Sequence, residues 1–219
     1  MLPSTVTVVL LAGPSGSGKS RLATMAGCPR LNLDDFYYDE DHPGLPRTPR
    51  TVAVGAPDAV DWDALGSWDS HAALDAILAL GTTGSAQVPL YDLATSRRTG
   101  TRTLALDGAR VYVAEGLFAP DLVPACRVAG VAMEALYLDR PRTQNLLFRF
   151  VRDVSEHRKP LPVLVRRGLA LWRAEPALRA SALAAGCRPV SLRAAAQVIA
   201  GLARQDAVSA PRPPSPPTR

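Results

Sequence analysis

Residues 13–20, with the sequence GPSGSGKS, constrain this chain more than any other segment. A continuous run of β-branched and aliphatic residues precedes them at 5–12, and residues 19–26 can begin a helix. A buried strand, a glycine-rich turn and a helix in that order are typical of the phosphate-binding loop, or P-loop, whose pattern is GxxxxGK[ST]. A strand apolar on both faces predicts an α/β fold with a parallel sheet flanked by helices.

The residue types of this loop match the chemistry of a nucleoside triphosphate. Glycines let backbone N–H groups turn inward around the phosphates, and the start of the helix adds a partial positive charge. Lys19 is expected to reach the β- and γ-phosphates, and Ser20 to bind Mg²⁺. Lys19 is one of two lysines beside 23 arginines, as expected for a position that specifically needs lysine. The predicted nucleotide-binding residues of the loop are Gly13, Pro14, Ser15, Gly16, Ser17, Gly18, Lys19 and Ser20.

Carboxylates follow two further predicted strands. Asp34 and Asp35 end a short strand predicted over 31–34, and Glu115 follows a strand predicted at 110–114. In a parallel sheet, the carboxyl ends of the strands meet at the edge where ligands bind. Asp34 could there accept a proton from an attacking hydroxyl, bind Mg²⁺, or both. A functional role is also favoured for Glu115, whereas Asp35 is better explained as a turn or cap residue.

Apolar spacing predicts several other elements. A helix is expected from a cap at Asp69 or Ser70 to Leu80, with Leu74, Ile77 and Leu78 on its apolar face. Further expected elements are a hairpin of 87–91 with 101–106, a second hairpin near 51–54, a strand at 135–138, and helices over 161–172, 176–185 and 191–204.

Residues 143–156 form the most clearly amphipathic predicted helix. Its expected apolar face consists of Leu146, Leu147, Phe150 and Val154. Arg149 and Arg152 lie near the opposite face, where they either meet a bound anion or form surface ion pairs with Asp153 or Glu156.

Several classes of protein are disfavoured by what the sequence lacks. It has no NKxD motif for guanine and no LSGGQ-like element, which argues against a GTP switch and a transporter ATPase. Three distant cysteines without metal-ligand spacing predict reduced thiols and a cytoplasmic location. No apolar stretch approaches the roughly 18 residues of a membrane span, so no membrane partner is expected. The net charge of +5 does not by itself indicate a nucleic-acid partner, and none is expected.

A combination of segments carries a more specific signal than the P-loop alone. In order along the chain these are GPSGSGKS at 13–20, LDDFYYD at 33–39, VDWD at 60–63 with SWD at 67–69, PLYDLATSRR at 89–98, VAEGLFA at 113–119 and FRFVRDVSEHRKP at 148–160. Over about residues 5–180 the chain resembles the uridine/cytidine kinase family and its P-loop relatives, such as phosphoribulokinase and pantothenate kinase.

The resemblance implies a P-loop kinase fold, with a small β-hairpin as substrate element and a helical lid. It implies ATP and Mg²⁺ as cofactors and a small-molecule acceptor, most specifically the 5′-hydroxyl of uridine or a related nucleoside, phosphorylated by in-line transfer. The kinase domain is expected over 1–208, with the lid at about 149–162, and the proline-rich residues 209–219 are expected to be a disordered tail.

The resemblance also implies roles for individual residues. Asp34 matches the catalytic base beside Mg²⁺, with Ser20 and Glu115 as metal-site partners. Asp61 matches the acid that holds the ribose 2′- and 3′-hydroxyls. The remaining implied positions are Lys19 and Arg152 in catalysis, Tyr37, Tyr91, Arg149 and Arg152 at the substrate, and His157 and Arg158 at ATP, with Lys159 in the same lid segment.

Two departures from the family pattern concern the acceptor. Residues 94–97 contain no histidine where the family reads the pyrimidine, and His157 and Lys159 stand where arginines are typical. Two alternatives therefore stay open: a kinase of another sugar-like or pantothenate-like alcohol, and a non-catalytic ATP-binding regulator. Association into a homo-oligomer also stays open.

Overall fold

The computed structural model describes residues 6–48, 59–155 and 161–209 of the 219-residue chain. The strands are β1 Thr7–Ala12, β2 Arg30–Asn32, β3 Ser85–Asp92, β4 Arg97–Ala105, β5 Val111–Glu115, β6 Met133–Leu138 and β7 Arg188–Val190. The helices are α1 Lys19–Met25, α2 Ser70–Thr83, α3 Ala119–Val128, α4 Arg142–Ser155, α5 Leu161–Ala185 and α6 Leu192–Ser209.

Five strands form one parallel sheet in the order β2-β5-β1-β6-β7, with β1 at its centre. Successive residues of β1 point to opposite faces: Val8 and Leu10 pack with residues of α2 and α3, and Val9 and Leu11 pack with residues of α1 and α6. Burial on both faces explains why β1 is apolar throughout. The predicted α/β fold with a parallel sheet flanked by helices is confirmed.

The predicted hairpin at 87–91 and 101–106 is also confirmed. It consists of the longer antiparallel strands β3 and β4, with an irregularity in register between Leu90 and Tyr91. Helix α2 begins where expected, because the Asp69 side chain accepts a hydrogen bond from the Ala72 N–H at 3.0 Å. The helix runs on to Thr83, and Gly84 ends it in a left-handed conformation.

The predicted bounds of two elements were wrong, and the predicted apolar face of a third was only partly right. The second strand ends at Asn32, and the acids follow in a one-turn 3₁₀ helix, Leu33–Phe36. Helix α2 buries mainly its small residues Ala73 and Ala76 with Ile77 and Leu80, whereas Leu74 and Leu78 are half-buried. Helix α5 runs through Pro176 without a break, because its contacts with α3, α4 and β6 outweigh the cost of an interior proline.

The predicted polar face of α4 also needs correction. Arg149 is 4 % exposed, whereas Leu147 of the expected apolar face is 58 % exposed. The short strand β7 was not predicted, because its three residues carry too little pattern. The hairpin expected near 51–54, the lid residues 156–160 and the tail from 210 lie outside the described residues. None of the helices that the structure describes has the length and hydrophobicity needed to span a lipid bilayer.

Candidate active site

The P-loop follows the carboxyl end of β1 and leads into α1. Gly16 has a φ of +86°, and a methyl group there would lie 2.7 Å from the Asn145 carbonyl oxygen. Glycine is therefore needed both for the backbone conformation and for the close approach of α4. The Ser17 N–H donates to the Pro14 carbonyl at 3.1 Å, which closes a turn at the tip of the loop.

Lys19 lies across this loop rather than pointing away from it. Its Nζ donates to the carbonyl oxygens of Gly13 at 2.7 Å and Pro14 at 3.3 Å. Ser20, the next residue of α1, is exposed, and the Ser17 hydroxyl is buried with no hydrogen-bond partner among the described residues. This arrangement fits a phosphate group and its metal ion. Lys19 supplies a positive charge at the loop, Ser20 an accessible hydroxyl, and Ser17 a buried hydroxyl that still lacks a partner.

Asp34 lies at the carboxyl edge of the sheet, in the turn after β2. Its Oδ1 accepts a hydrogen bond from the Leu117 N–H at 3.4 Å. Burial raises the pKa of this carboxyl, the nearby Lys19 charge lowers it, and Glu115 raises it further. Gly116 is required beside it, because a methyl group there would lie 2.7 Å from the Leu33 Cβ. The structure thus brings Asp34, Lys19 and Glu115 together, as expected.

Glu115 is buried, and Arg30 binds it. The Arg30 guanidinium donates to Glu115 Oε1, with Nε at 3.1 Å. Parallel pairing of β2 with β5 places Arg30 opposite Val113 and Asn32 opposite Glu115. Arg30 therefore lies two residues before the position that faces Glu115, on the same side of the sheet. Sequence reasoning missed Arg30, although this strand pairing was the signal that could have found it. The Asp35 carboxylate accepts from Asn32 Nδ2 at 2.7 Å, which agrees with its prediction as a turn residue.

The residues that could hold a metal ion are therefore few. The described residues contain no group of three or more histidine, cysteine, aspartate or glutamate side chains arranged to hold one. Mg²⁺ beside a nucleotide is commonly held by one or two protein side chains, phosphate oxygens and water. The Ser20 hydroxyl and the Asp34 carboxylate fit that role, whereas the Glu115 carboxylate is bound by Arg30 through Oε1.

An aromatic cluster lies beside the turn that carries Asp34. The Tyr37 ring is 5.7 Å from that of Trp62, 5.8 Å from that of Tyr91 and 6.0 Å from that of Phe118. Tyr37 is buried, whereas Trp62 and Tyr91 are half-buried. The predicted pocket residues Tyr37 and Tyr91 are thus in contact, and Trp62 joins them.

Asp61 directly precedes the tryptophan of this cluster. Its N–H donates to the Pro46 carbonyl at 2.8 Å, and its Oδ1 accepts from the Asp63 N–H at 3.2 Å. The side chain is half-buried. The backbone bond anchors the segment that carries Asp61 and Trp62.

Arg98 ties the β3–β4 hairpin to the Asp34 turn, and sequence reasoning missed it. Its guanidinium donates to the carbonyl oxygens of Tyr37 at 3.1 Å and Phe36 at 3.3 Å, and to Asp69 at 3.3 Å. Its own N–H donates to the Asp39 carboxylate at 2.7 Å. These bonds span between 29 and 62 positions of sequence, and no local pattern predicts them.

The polar groups of the turn between β3 and β4 bond within the turn and to Glu40. The Asp92 carboxylate accepts from the Ala94 N–H and from the Thr95 hydroxyl, both at 2.9 Å. The Ser96 carbonyl accepts from the Glu40 N–H at 3.0 Å. The positions where the resembled family carries a histidine therefore form a closed turn.

Helix α4 also contacts the P-loop, through Arg149. Its guanidinium donates to the Ser15 carbonyl and to the Glu175 carboxylate. Arg149 is therefore not a surface residue, and the side chains of Asp153 and Glu156, its alternative partners, lie outside the described part of the chain. The backbone of Arg152 lies in α4, and its side chain lies outside the described part of the chain, as do His157, Arg158 and Lys159.

Comparison with known proteins identifies the fold of this site. No family model and no curated protein matches the chain. A candidate fructose transport system kinase from Silicibacter sp. TM1040 superposes with a TM-score of 0.56 at 21 % identity, over 80 % of this chain and 86 % of that chain. This likeness, with the parallel sheet and the P-loop, establishes a P-loop kinase fold.

Two other solved structures share less of the geometry. A candidate uridine kinase from Bacillus stearothermophilus has a TM-score of 0.44 at 18 % identity, over 71 % of this chain and 82 % of that chain. The YGR205w protein has a TM-score of 0.44 at 12 % identity, over 80 % of this chain and 78 % of that chain.

Proposed function

We propose that the protein is an ATP-dependent kinase of a small hydroxyl-bearing molecule, with the 5′-hydroxyl of uridine or a related nucleoside as the preferred acceptor. The observation that carries this proposal is the position of Asp34, a buried carboxyl whose pKa responds to Lys19 of the P-loop. A γ-phosphate at Lys19 and an acceptor hydroxyl at Asp34 would meet at one edge of the sheet, as in-line transfer requires.

The proposed chemistry assigns separate tasks to the residues of this edge. Burial raises the pKa of Asp34, so its carboxylate is a better proton acceptor for the attacking hydroxyl than an exposed one. Lys19 would neutralise charge on the transferred phosphoryl group. Mg²⁺, held by Ser20 and Asp34, would neutralise the phosphate oxygens. Glu115, whose Oε1 is bound by Arg30, would join the metal site through Oε2.

The aromatic cluster supports an acceptor with a flat or ring-shaped body. Trp62 and Tyr91, half-buried against the Tyr37 ring, offer aromatic faces near the turn that carries Asp34, and aromatic faces bind flat rings well. Asp61, which precedes Trp62 in the chain, is the proposed hydrogen-bond acceptor for two adjacent sugar hydroxyls. In this proposal Arg152, His157, Arg158 and Lys159 belong to a lid that excludes water during transfer, and the enzyme works in the cytoplasm.

A second candidate function is a kinase of another small alcohol, sugar-like or pantothenate-like. The turn at residues 92–96 favours it, because the Asp92 carboxylate is bound by the Ala94 N–H and the Thr95 hydroxyl, and residues 94–97 include no histidine or amide side chain to read a base. An acceptor without a heterocyclic base needs no such reader.

The test is ADP release by the full chain with Mg²⁺ and ATP. The acceptors are uridine, cytidine, adenosine, their 2′-deoxy forms, pantothenate and several hexoses, and the Asp34→Asn variant is the matched control. Stimulation by a pyrimidine riboside that Asp34→Asn abolishes supports the nucleoside kinase. Stimulation by a hexose or pantothenate alone selects the second candidate. ATP binding without turnover under any acceptor indicates a non-catalytic regulator and contradicts both kinase proposals.

A further inference from the structure

Three polar side chains are buried together where α4 meets α5 and the P-loop. Asn145 is 1 % exposed, and Arg149 and Glu175 are each 4 % exposed. A charged pair removed from water to this degree is costly unless its hydrogen bonds are made. The proposed phosphoryl transfer uses neither Asn145 nor Glu175.

The three side chains form a continuous path from helix α5 to the P-loop. Glu175 Oε1 accepts from Arg149 Nη2 at 3.1 Å, and Oε2 accepts from Asn145 Nδ2 at 3.2 Å. Arg149 in turn donates to the Ser15 carbonyl from Nη2 at 2.9 Å and from Nε at 3.2 Å. The two carboxylate oxygens of Glu175 thus hold two side chains one turn apart on α4.

The loop touches the same helix at its next residue. A methyl group on Gly16 would lie 2.7 Å from the Asn145 carbonyl oxygen and 3.2 Å from the backbone nitrogen of Arg149. Ser15 is therefore bound and Gly16 is packed by one turn of α4. These contacts of Asn145 and Arg149 hold the backbone of Ser15 and Gly16, which is part of the loop that would surround a phosphate.

We infer that Glu175 is a positioning residue for the P-loop: by holding Arg149 and Asn145, it directs the Arg149 guanidinium onto the Ser15 carbonyl and keeps the loop in its phosphate-binding shape. The consequence for ATP rests on the proposed function, whereas the effect on loop order does not. Because Glu175 lies in α5, the order of the loop depends on the docking of α4 against α5.

The first test is hydrogen exchange of the P-loop amides in the full chain without nucleotide. Glu175→Gln removes the charge and one acceptor, and it is expected to speed exchange of residues 15–18 at least tenfold. The matched control is Asp139→Asn, which removes another ion pair of α5, with Arg179 at 2.8 Å, and does not touch the loop. Unchanged loop exchange in Glu175→Gln, or equal acceleration in Asp139→Asn, would overturn the inference.

The second test measures the Kd of Mg²⁺-ATP and both KM values in wild type, Arg149→Met, Glu175→Gln and the double variant. We expect each single variant to raise the Kd and KM for ATP about tenfold and to leave the acceptor KM unchanged. The double variant should be no worse than Arg149→Met, because Glu175 acts through Arg149. Additive losses, or a rise in the acceptor KM of similar size, would contradict a positioning role.

The double variant also covers the case in which Glu175→Gln fails to fold. It carries no buried charge at this place, so it is expected to stay folded. If it is folded and binds ATP as tightly as wild type, the inference fails while the proposed function stands. If wild type itself does not bind ATP, the proposed function fails, and loop exchange still decides the positioning role.

Discussion

Arg98 of β4 donates from its Nε to the backbone carbonyl oxygen of Tyr37 at 3.1 Å, across 61 positions of sequence. The same guanidinium reaches Phe36 and Asp69, so one side chain joins the hairpin, the turn that carries Asp34 and the start of α2. The position of the aromatic cluster relative to Asp34 therefore depends on Arg98.

We predict that Arg98→Ala impairs the acceptor site and spares the nucleotide site. Loss of the guanidinium leaves the carbonyl oxygens of Phe36 and Tyr37 without this donor and releases the hairpin. The acceptor KM should rise about tenfold, or about 1.4 kcal/mol, while the ATP KM stays within a factor of two. Steady-state kinetics with each substrate varied in turn measures both values.

Arg97→Ala is the matched control for this prediction. Arg97 pairs with Asp41 at 3.0 Å, and both side chains are more than half exposed, so the pair contributes under about 1 kcal/mol. Equal effects of the two variants on the acceptor KM would mean that the hairpin needs positive charge in general, and not the bonds of Arg98.

We predict that Lys19→Ala abolishes turnover and leaves the fold intact. Removal of one group that stabilises the developing phosphoryl charge costs about 3–4 kcal/mol of barrier, or about 10²–10³ in rate. Arg21→Ala, an exposed basic residue of the same helix, is the control and should keep wild-type turnover. Near-normal turnover of Lys19→Ala with an unchanged melting curve would contradict the P-loop assignment.

We predict different kinetic effects for the two proposed acceptor-site acids. Asp34→Asn should depress kcat strongly, because the lost proton acceptor works in the transition state. Asp61→Asn should raise the acceptor KM, leave the ATP KM alone and narrow the preference for ribosides over 2′-deoxyribosides. Kinetics with matched riboside and deoxyriboside pairs measures both. Full riboside preference in Asp61→Asn would show that its assigned role is wrong.

We predict that Gly16→Ala is far more damaging than Gly27→Ala. Both residues have positive φ, +86° and +66°, so alanine is strained at each. At Gly16 the added methyl also lies 2.7 Å from the Asn145 carbonyl, whereas nothing lies within 4 Å at Gly27. Thermal unfolding and Mg²⁺-ATP titration compare them, and an equal loss of stability and ATP affinity in the two variants would show that contact with α4 does not shape the loop.

The elements nearest the P-loop could be predicted because their signals are local. The buried run of β1, the glycine turn and the cap of α2 by Asp69 each depend on neighbouring residues. The proximity of Asp34 to Lys19 also followed from one general rule, that the carboxyl ends of parallel strands share an edge. The sequence therefore predicted the fold class and the centre of the candidate site.

The parts that could not be predicted depend on distant partners. Arg149 looks like a surface residue in the pattern of α4, and its bonds to the distant residues Ser15 and Glu175 accompany its burial. Pro176 looks like a helix boundary, and only packing against neighbouring elements keeps α5 continuous. Arg30 bonds to Glu115 because β2 pairs with β5, and Arg98 bonds to Tyr37 because the hairpin packs against the turn that carries Asp34. The spacing of residues along the sequence predicts neither bond.

We predict that the buried thiols of Cys126 and Cys187 make the fold less stable as the pH becomes alkaline. Burial raises the pKa of Cys126 and of Cys187 to about 11, above the value of about 8.5 for a free cysteine. Between these values the unfolded chain releases protons that the folded chain keeps, so the free energy of unfolding falls as the pH rises. Each thiol contributes about 1.4 kcal/mol per pH unit to this slope. Urea unfolding at pH 8, 9 and 10 measures the slope, and Cys126→Ala should reduce it by about one proton. An unchanged slope in that variant would mean that the Cys126 thiol ionises equally in the folded and unfolded states.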